Sequence, residues 1–152
     1  MNEASKIAMI SLMLFFHAPL SNAQTRNDIV GTWMSSQRNV MVKIYTDSSF
    51  FKGKVIWFDD SDNKSLPMNV RKDIKNPNKN LRLRKIIGID VLRGLRYNAK
   101  CKCWQDGKIY DVQTGRTWNA SITLENINKV KVRGFWHYEF IGKSMIFRRV
   151  RG

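Results

Sequence analysis

Gly31-Thr32-Trp33 and, at the far end of the chain, Phe147-Arg148-Arg149 decide how this sequence is read. A Gly-x-Trp on a first strand and an Arg on a last strand are what a small up-and-down barrel uses to seal one end. The physics is a guanidinium laid on an indole face, a contact of roughly 0.5–2 kcal/mol depending on burial. Arg149, not Arg148, is the expected partner, because it alternates with Phe147 and Met145 on one strand face. Gly31, Trp33 and Arg149 are therefore expected to be a structural closure.

Between these ends the chain reads as strands. Val40, Val42 and Ile44 alternate with Met41, Lys43 and Tyr45, and Trp118, Ala120, Ile122 and Leu124 alternate with Thr117, Asn119, Ser121 and Thr123. Period-two patterning marks strands with one buried face. The expected strands are 30–35, 39–46, 50–58, 86–92, 94–102, 108–112, 116–125 and 129–137, with a ninth at 143–150. Gln105-Asp106-Gly107 carries an Asp-Gly hairpin signal. Short turns at regular spacing predict an all-β fold, a small antiparallel up-and-down barrel. Its expected inward bulk is Trp33, Trp57, Trp118 and Phe147. The one long irregular stretch, 59–84, holds Pro67, Pro77 and five Asn. It is expected to lie over a barrel mouth, with a helical turn near Pro77–Asn80.

Residues 1–23 are expected to be a cleavable signal peptide. Lys6 precedes the apolar run Ile7–Leu20, and Ser21-Asn22-Ala23 supplies a small-x-small cleavage site. The run is short of the ~20 residues needed to span a bilayer, and no later segment is apolar enough to do so. Residues 24–152 then form a single domain, exported and either periplasmic or secreted.

The net charge is +15. From Lys64 to Lys102, twelve Lys or Arg face only Asp73 and Asp90. Such a field attracts anions. Outside the cytoplasm those are small acids or an anionic envelope surface, so nucleic acid is not an expected partner. Cys101 and Cys103 flank Lys102, and on an extended strand their Cα atoms would stand roughly 6.5 Å apart, at the edge of disulfide reach. They are expected as free or loosely paired thiols at a loop edge.

A further set of motifs carries a family resemblance: Gly53-Lys54-Val55-Ile56-Trp57, Asp73-x-x-Asn76-Pro77, Leu83-x-x-x-Ile87-Gly88, Gly107-x-Ile109-Tyr110-Asp111-x-x-Thr114-Gly115 and Val132-x-Gly134. Together with the two end motifs, and over about residues 28–150, the chain resembles the bacterial exported family known as domain of unknown function 2147. The resemblance implies a closed lipocalin-like barrel and no particular reaction. Val112 stands where the family usually has Pro, Trp118 where it has Tyr, and Phe147 where it has Trp. The basic segment 79–102 and the Cys-Lys-Cys pair are not hallmarks of the family.

Candidate site residues concentrate on the long loop. Asp73 and Asn76 could orient a polar ligand or cap backbone groups. Arg71, Arg82 and Arg84 can fork a carboxylate or phosphate. Tyr110 and Asp111 belong either to a turn closed by Gly115 or to a pocket rim. Asp59-Asp60-Ser61-Asp62-Asn63 lacks the Gly and Glu of a calcium loop, with Arg71 in the twelfth place counted from Asp60, so no metal is expected. His137 near Glu139 is the only histidine after the leader. No catalytic constellation and no cofactor motif is present. The sequence reads as a barrel that binds a small apolar or amphipathic anion. A solid barrel docking through its basic face is the first alternative, and a hydrolase or isomerase with rim carboxylates is the second.

Overall fold

The computed structural model describes residues 24–138 and 142–151. The expected leader, and Glu139 beside His137, lie outside these residues. Eight strands follow one another round a closed barrel: β1 (Gly31–Ser35), β2 (Val40–Asp47), β3 (Phe50–Phe58), β4 (Asp90–Asn98), β5 (Cys103–Asp111), β6 (Arg116–Asn126), β7 (Lys129–Phe135) and β8 (Gly142–Val150). Every pairing is antiparallel, and β8 returns to pair with β1. Closure leaves no unpaired edge. A single 3-10 turn, Lys79–Leu81, is capped by the Asn78 side chain, close to where Pro77 suggests a turn.

Two differences from the sequence reading have one cause. Residues 86–92 and 94–102 do not form two strands; β4 runs through Gly94, which takes φ +70°. Asp106-Gly107 is not a hairpin but lies inside β5. Asp106 adopts φ +62°, and the register against β6 shifts between Trp104 and Gly107. An Asp-Gly step that accepts positive φ serves a bulge as well as a turn. Only the pairing partner decides between them. Leu95 fills the space beside Gly107, its Cδ2 lying 2.5 Å from where a Cβ would stand.

The bulges also decide the core. Val42 faces Val55 but Met41 faces Trp57, so Ile56 is an extra residue. The slip sends Trp57 outward and brings Phe58, opposite Val40, against the core. Trp57 is thus not an inward residue, because one inserted residue exchanges the faces of a strand. The fully buried large residues are Trp33, Phe51, Leu95, Trp104, Ile122 and Val130. Trp104, hidden in sequence by the misplaced turn, meets Phe51 edge to face at 6.3 Å. Its Nε1 donates to the Arg26 carbonyl at 3.1 Å.

One end of the barrel is closed as a unit. Trp33 and Arg149 are register partners across β1 and β8, and the guanidinium lies 4.2 Å from the indole centroid. The same guanidinium donates to the carbonyls of Ile127 at 2.7 Å, Val30 at 2.8 Å and Asp28. Trp33 Nε1 donates to the Ile29 carbonyl at 2.8 Å. Gly31 stands at φ +142°, and a Cβ there would lie 2.5 Å from Arg149 Nη1. Burial holds the Arg149 pKa below its ordinary value.

Cys101 and Cys103 are joined in a disulfide, so the expectation of free or loosely paired thiols is corrected. Cys101 lies in the β4–β5 turn and Cys103 opens β5. Lys102 takes φ +50°, which draws the two Cα atoms to 5.2 Å, inside the range a disulfide needs.

Candidate functional site

The end opposite Arg149 carries the β1–β2 turn, the long 59–89 segment, the β5–β6 turn and the segment after β7. The candidate residues of the long loop all lie here, and each has a partner within the protein. Asp73 is fully buried. It accepts from the Tyr110 hydroxyl at 2.7 Å, from Asn76 Nδ2 at 2.7 Å, and from Arg84 Nε and Nη2 at 3.0 and 2.7 Å. Backbone bonds from Asp73 N to Arg84 O and from Ile86 N to Arg71 O draw the two halves of the loop together. Arg82 Nε donates to the Asn76 carbonyl at 2.7 Å, and Asn76 Oδ1 accepts from Asn78 N at 2.9 Å.

Arg71 forks Asp62 and donates to the carbonyls of Asp60, Asn63 and Leu66. The guanidinium of Arg71 holds the exposed Asp62 carboxyl below the usual range. Asp111 accepts from Gln113 N and the Thr114 hydroxyl at 2.9 and 2.7 Å. Gly115 takes φ +71° in the same turn, where a Cβ would stand 2.0 Å from the Lys75 carbonyl oxygen. The loop and the β5–β6 turn are therefore in direct contact. Asp73, Asn76, Arg84 and Tyr110 come together in one cluster, Arg82 joins it through the Asn76 carbonyl, and Arg71 and Asp111 act separately.

The loop is anchored on the outer wall. Leu92 and Ile109 are inward partners across β4 and β5. Tyr110 follows Ile109, so it faces outward with Lys108. Tyr110 is nonetheless buried, as is Val91, because the 71–89 segment covers this wall. Burial first, then the bond to Asp73, pushes the Tyr110 hydroxyl pKa up to about 12.

On the inner face, Val130 and Val132 on β7 belong to the core, and Gly134 continues their face toward this end. Val132 pairs with Met145 and Gly134 with Lys143 on β8; Ile109 pairs with Trp118 across β5 and β6. Ile109, Trp118, Met145 and Lys143 thus point inward along the half of the barrel toward this end. Deeper glycines are crowded, with Leu92 Cδ1 3.1 Å and Leu95 Cδ2 2.5 Å from the Cβ positions of Gly53 and Gly107. At Gly134 the nearest atoms are Ile109 Cγ2 at 3.5 Å and Trp118 Cβ at 3.9 Å, so a Cβ there would meet only ordinary van der Waals contact. Met145 is 47% exposed although it faces inward. Trp136, 59% exposed, stands edge-on to Trp118 at 5.6 Å. The inward face toward this end thus leaves Met145 exposed, with Lys143 two residues further along the same strand face.

Trp118 and Met145 were visible as inward residues in the alternation of β6 and β8. Ile109 and Gly134 stand in the family motifs with no role of their own, and Lys143 in none. Their signal was the same alternation, extended past the last buried residue of each strand.

A closed eight-stranded antiparallel up-and-down barrel with one sealed end has a lipocalin-like architecture. The chain belongs to the family described as "Uncharacterized protein conserved in bacteria (DUF2147)", whose model matches residues 31–149. A solved structure described as protein HP1028 from the human pathogen Helicobacter pylori, which belongs to the lipocalin family, is similar with a TM-score of 0.67. Identity to it is 20%, and the match covers 80% of this chain and 82% of that one. That likeness shows the fold. No match was found among curated proteins.

Proposed function

We propose that this protein is an exported binding barrel that takes a small apolar or amphipathic anion in a cup at the end away from Arg149. The apolar part lies against Ile109, Trp118 and Met145, and the anionic group meets Lys143. The observation that carries this reading is Met145, an inward residue left 47% exposed, beside a glycine that adds no bulk. Small barrels either fill their interior or hold one small ligand; the exposure of inward Met145 supports the second for the half of the barrel away from Arg149. The lipocalin class supports the reading. Export rests on the apolar run Ile7–Leu20 and its small-residue cleavage site. The loop arginines do not supply the head-group contact, since Asp73, Asp62 and backbone carbonyls already engage them.

Titration of the protein with dodecanoate and with its methyl ester, read by tryptophan emission, tests this. Saturable binding of both is expected, with Gly134→Leu abolishing it. Lys143→Glu should weaken dodecanoate at least fivefold and leave the ester unchanged. Absence of saturable binding, or binding indifferent to Gly134→Leu in a variant that keeps its thermal transition, would overturn the cup.

A further inference from the structure

Three of the twelve cations of the 64–102 segment meet in one place. A groove of about 460 Å³ opens on the outer wall where the long loop runs into β4, and Arg84, Lys85 and Arg93 line it over Ile87 and Gly88. Arg84 is held in place by its ion pair with buried Asp73. Lys85 and Arg93 are exposed. Asp90, the only carboxylate in the lining, is engaged by the Tyr45 hydroxyl at 2.7 Å. The backbone can be approached at Gly88, which has φ +92° and no atom within 4 Å of where a Cβ would stand.

The wall around the groove carries like charges side by side. Arg93 pairs directly with Lys108 across β4 and β5, and Lys43 with Lys54 across β2 and β3. Lys52, near the same wall, is paired with Asp47, whose hydrogen bond and charge raise its pKa. Like charges directly opposite on a sheet destabilise it, so folding alone gains nothing from this arrangement. A bound polyanion turns the same repulsion into attraction.

We infer that the groove is a binding site for a phosphate-bearing anion, distinct from the cup and independent of it. A guanidinium offers two parallel donors to two phosphate oxygens, and a lysine adds a point charge. Lys85 and Arg93, with Arg84 held beside them by Asp73, suit a group of more than one negative charge, and Ile87 receives the carbon part of an ester. The phosphate is supplied by a lipid headgroup or by a soluble phosphate ester.

The test is equilibrium binding at low salt with three probes: pyrophosphate, glycerol 3-phosphate, and phosphatidylcholine vesicles containing phosphatidylglycerol. Lys85→Glu with Arg93→Glu alters the groove without touching the Asp73 cluster. Lys131→Glu with Arg148→Glu, exposed on β7 and β8, removes the same charge from another wall. The groove pair should weaken every probe that binds at least tenfold, and the control pair less than threefold. Binding of vesicles alone assigns the site to lipid headgroups, and binding of the soluble probes assigns it to free phosphate esters. Equal losses in the two pairs would mean a diffuse field and would overturn the site, as would no binding of any probe.

Discussion

The Tyr110 hydroxyl donates a 2.7 Å hydrogen bond to Asp73 across 37 residues of sequence, and this bond ties the long loop to the barrel wall. Asp73 has no exposure to water, so its charge is balanced within the protein by Arg84 and by the donors of Tyr110 and Asn76. Removing one partner of such a cluster strands the others. Asp73→Ala should lower unfolding free energy by about 2–4 kcal/mol, measured by urea denaturation. Proteolysis within 59–84 should accelerate at the same time. Tyr110→Phe, which leaves the ion pair intact, should cost about 1 kcal/mol.

Alkaline pH should act on two tyrosines. Burial, then a hydrogen bond to a carboxylate, raises Tyr110 and Tyr45 to about 12, with Asp73 and Asp90 as the respective partners. The unfolded chain loses these protons near pH 10 while the folded protein still holds them. The stabilisation is therefore complete below pH 10 and is lost as pH rises toward 12. Denaturation midpoints should fall across that window, with a shallower slope in Tyr45→Phe and Tyr110→Phe. Identical slopes in the wild type and both variants would contradict the pairing.

At the sealed end, Arg149→Lys keeps the charge but loses the planar fork that reaches the carbonyls of Asp28, Val30 and Ile127. A cost of about 1–3 kcal/mol is expected. Gly31→Ala should cost at least as much, because the added methyl meets a guanidinium that three carbonyls hold still. Neither change should alter dodecanoate affinity more than twofold in the folded protein, since the cup lies at the other end.

The Cys101–Cys103 bridge closes only the short Cys-Lys-Cys loop. A loop of about three residues gives the chain-entropy treatment roughly 1.5 kcal/mol. Cys101→Ser with Cys103→Ser should therefore shift stability by no more than about 2 kcal/mol, and the barrel should fold in reducing buffer. A wholesale loss of fold in dithiothreitol would show a larger role for the bridge.

The architecture was legible because alternation is local. Residues i and i+2 share a face whatever the rest of the chain does, so the barrel, its sealing pair Trp33 and Arg149, and the inward Trp118 and Phe147 can be read from spacing. The bulges were not legible. Asp106-Gly107 has the composition of a turn, and nothing near Ile56 marks an extra residue. Both slips are stated only by the strand alongside, and each exchanges faces: Phe58 for Trp57, and Trp104 into the core.

Sequence by itself therefore determined the number of sheets, the antiparallel order and the concentration of positive charge between Lys64 and Lys102. Tertiary structure alone decided what those residues do. Arg71, Asp73, Asn76, Arg82, Arg84, Tyr110 and Asp111 have the chemistry of a ligand site, yet Asp73, Asn76, Arg82, Arg84 and Tyr110 are matched to one another, Arg71 to Asp62 and Asp111 to its own turn. The reason is that hydrogen-bonding capacity belongs to a residue, whereas its partner belongs to the fold. The exposure of inward Met145, and the cationic groove at Lys85 and Arg93, arise only once the closed barrel sets its strands and the long loop side by side.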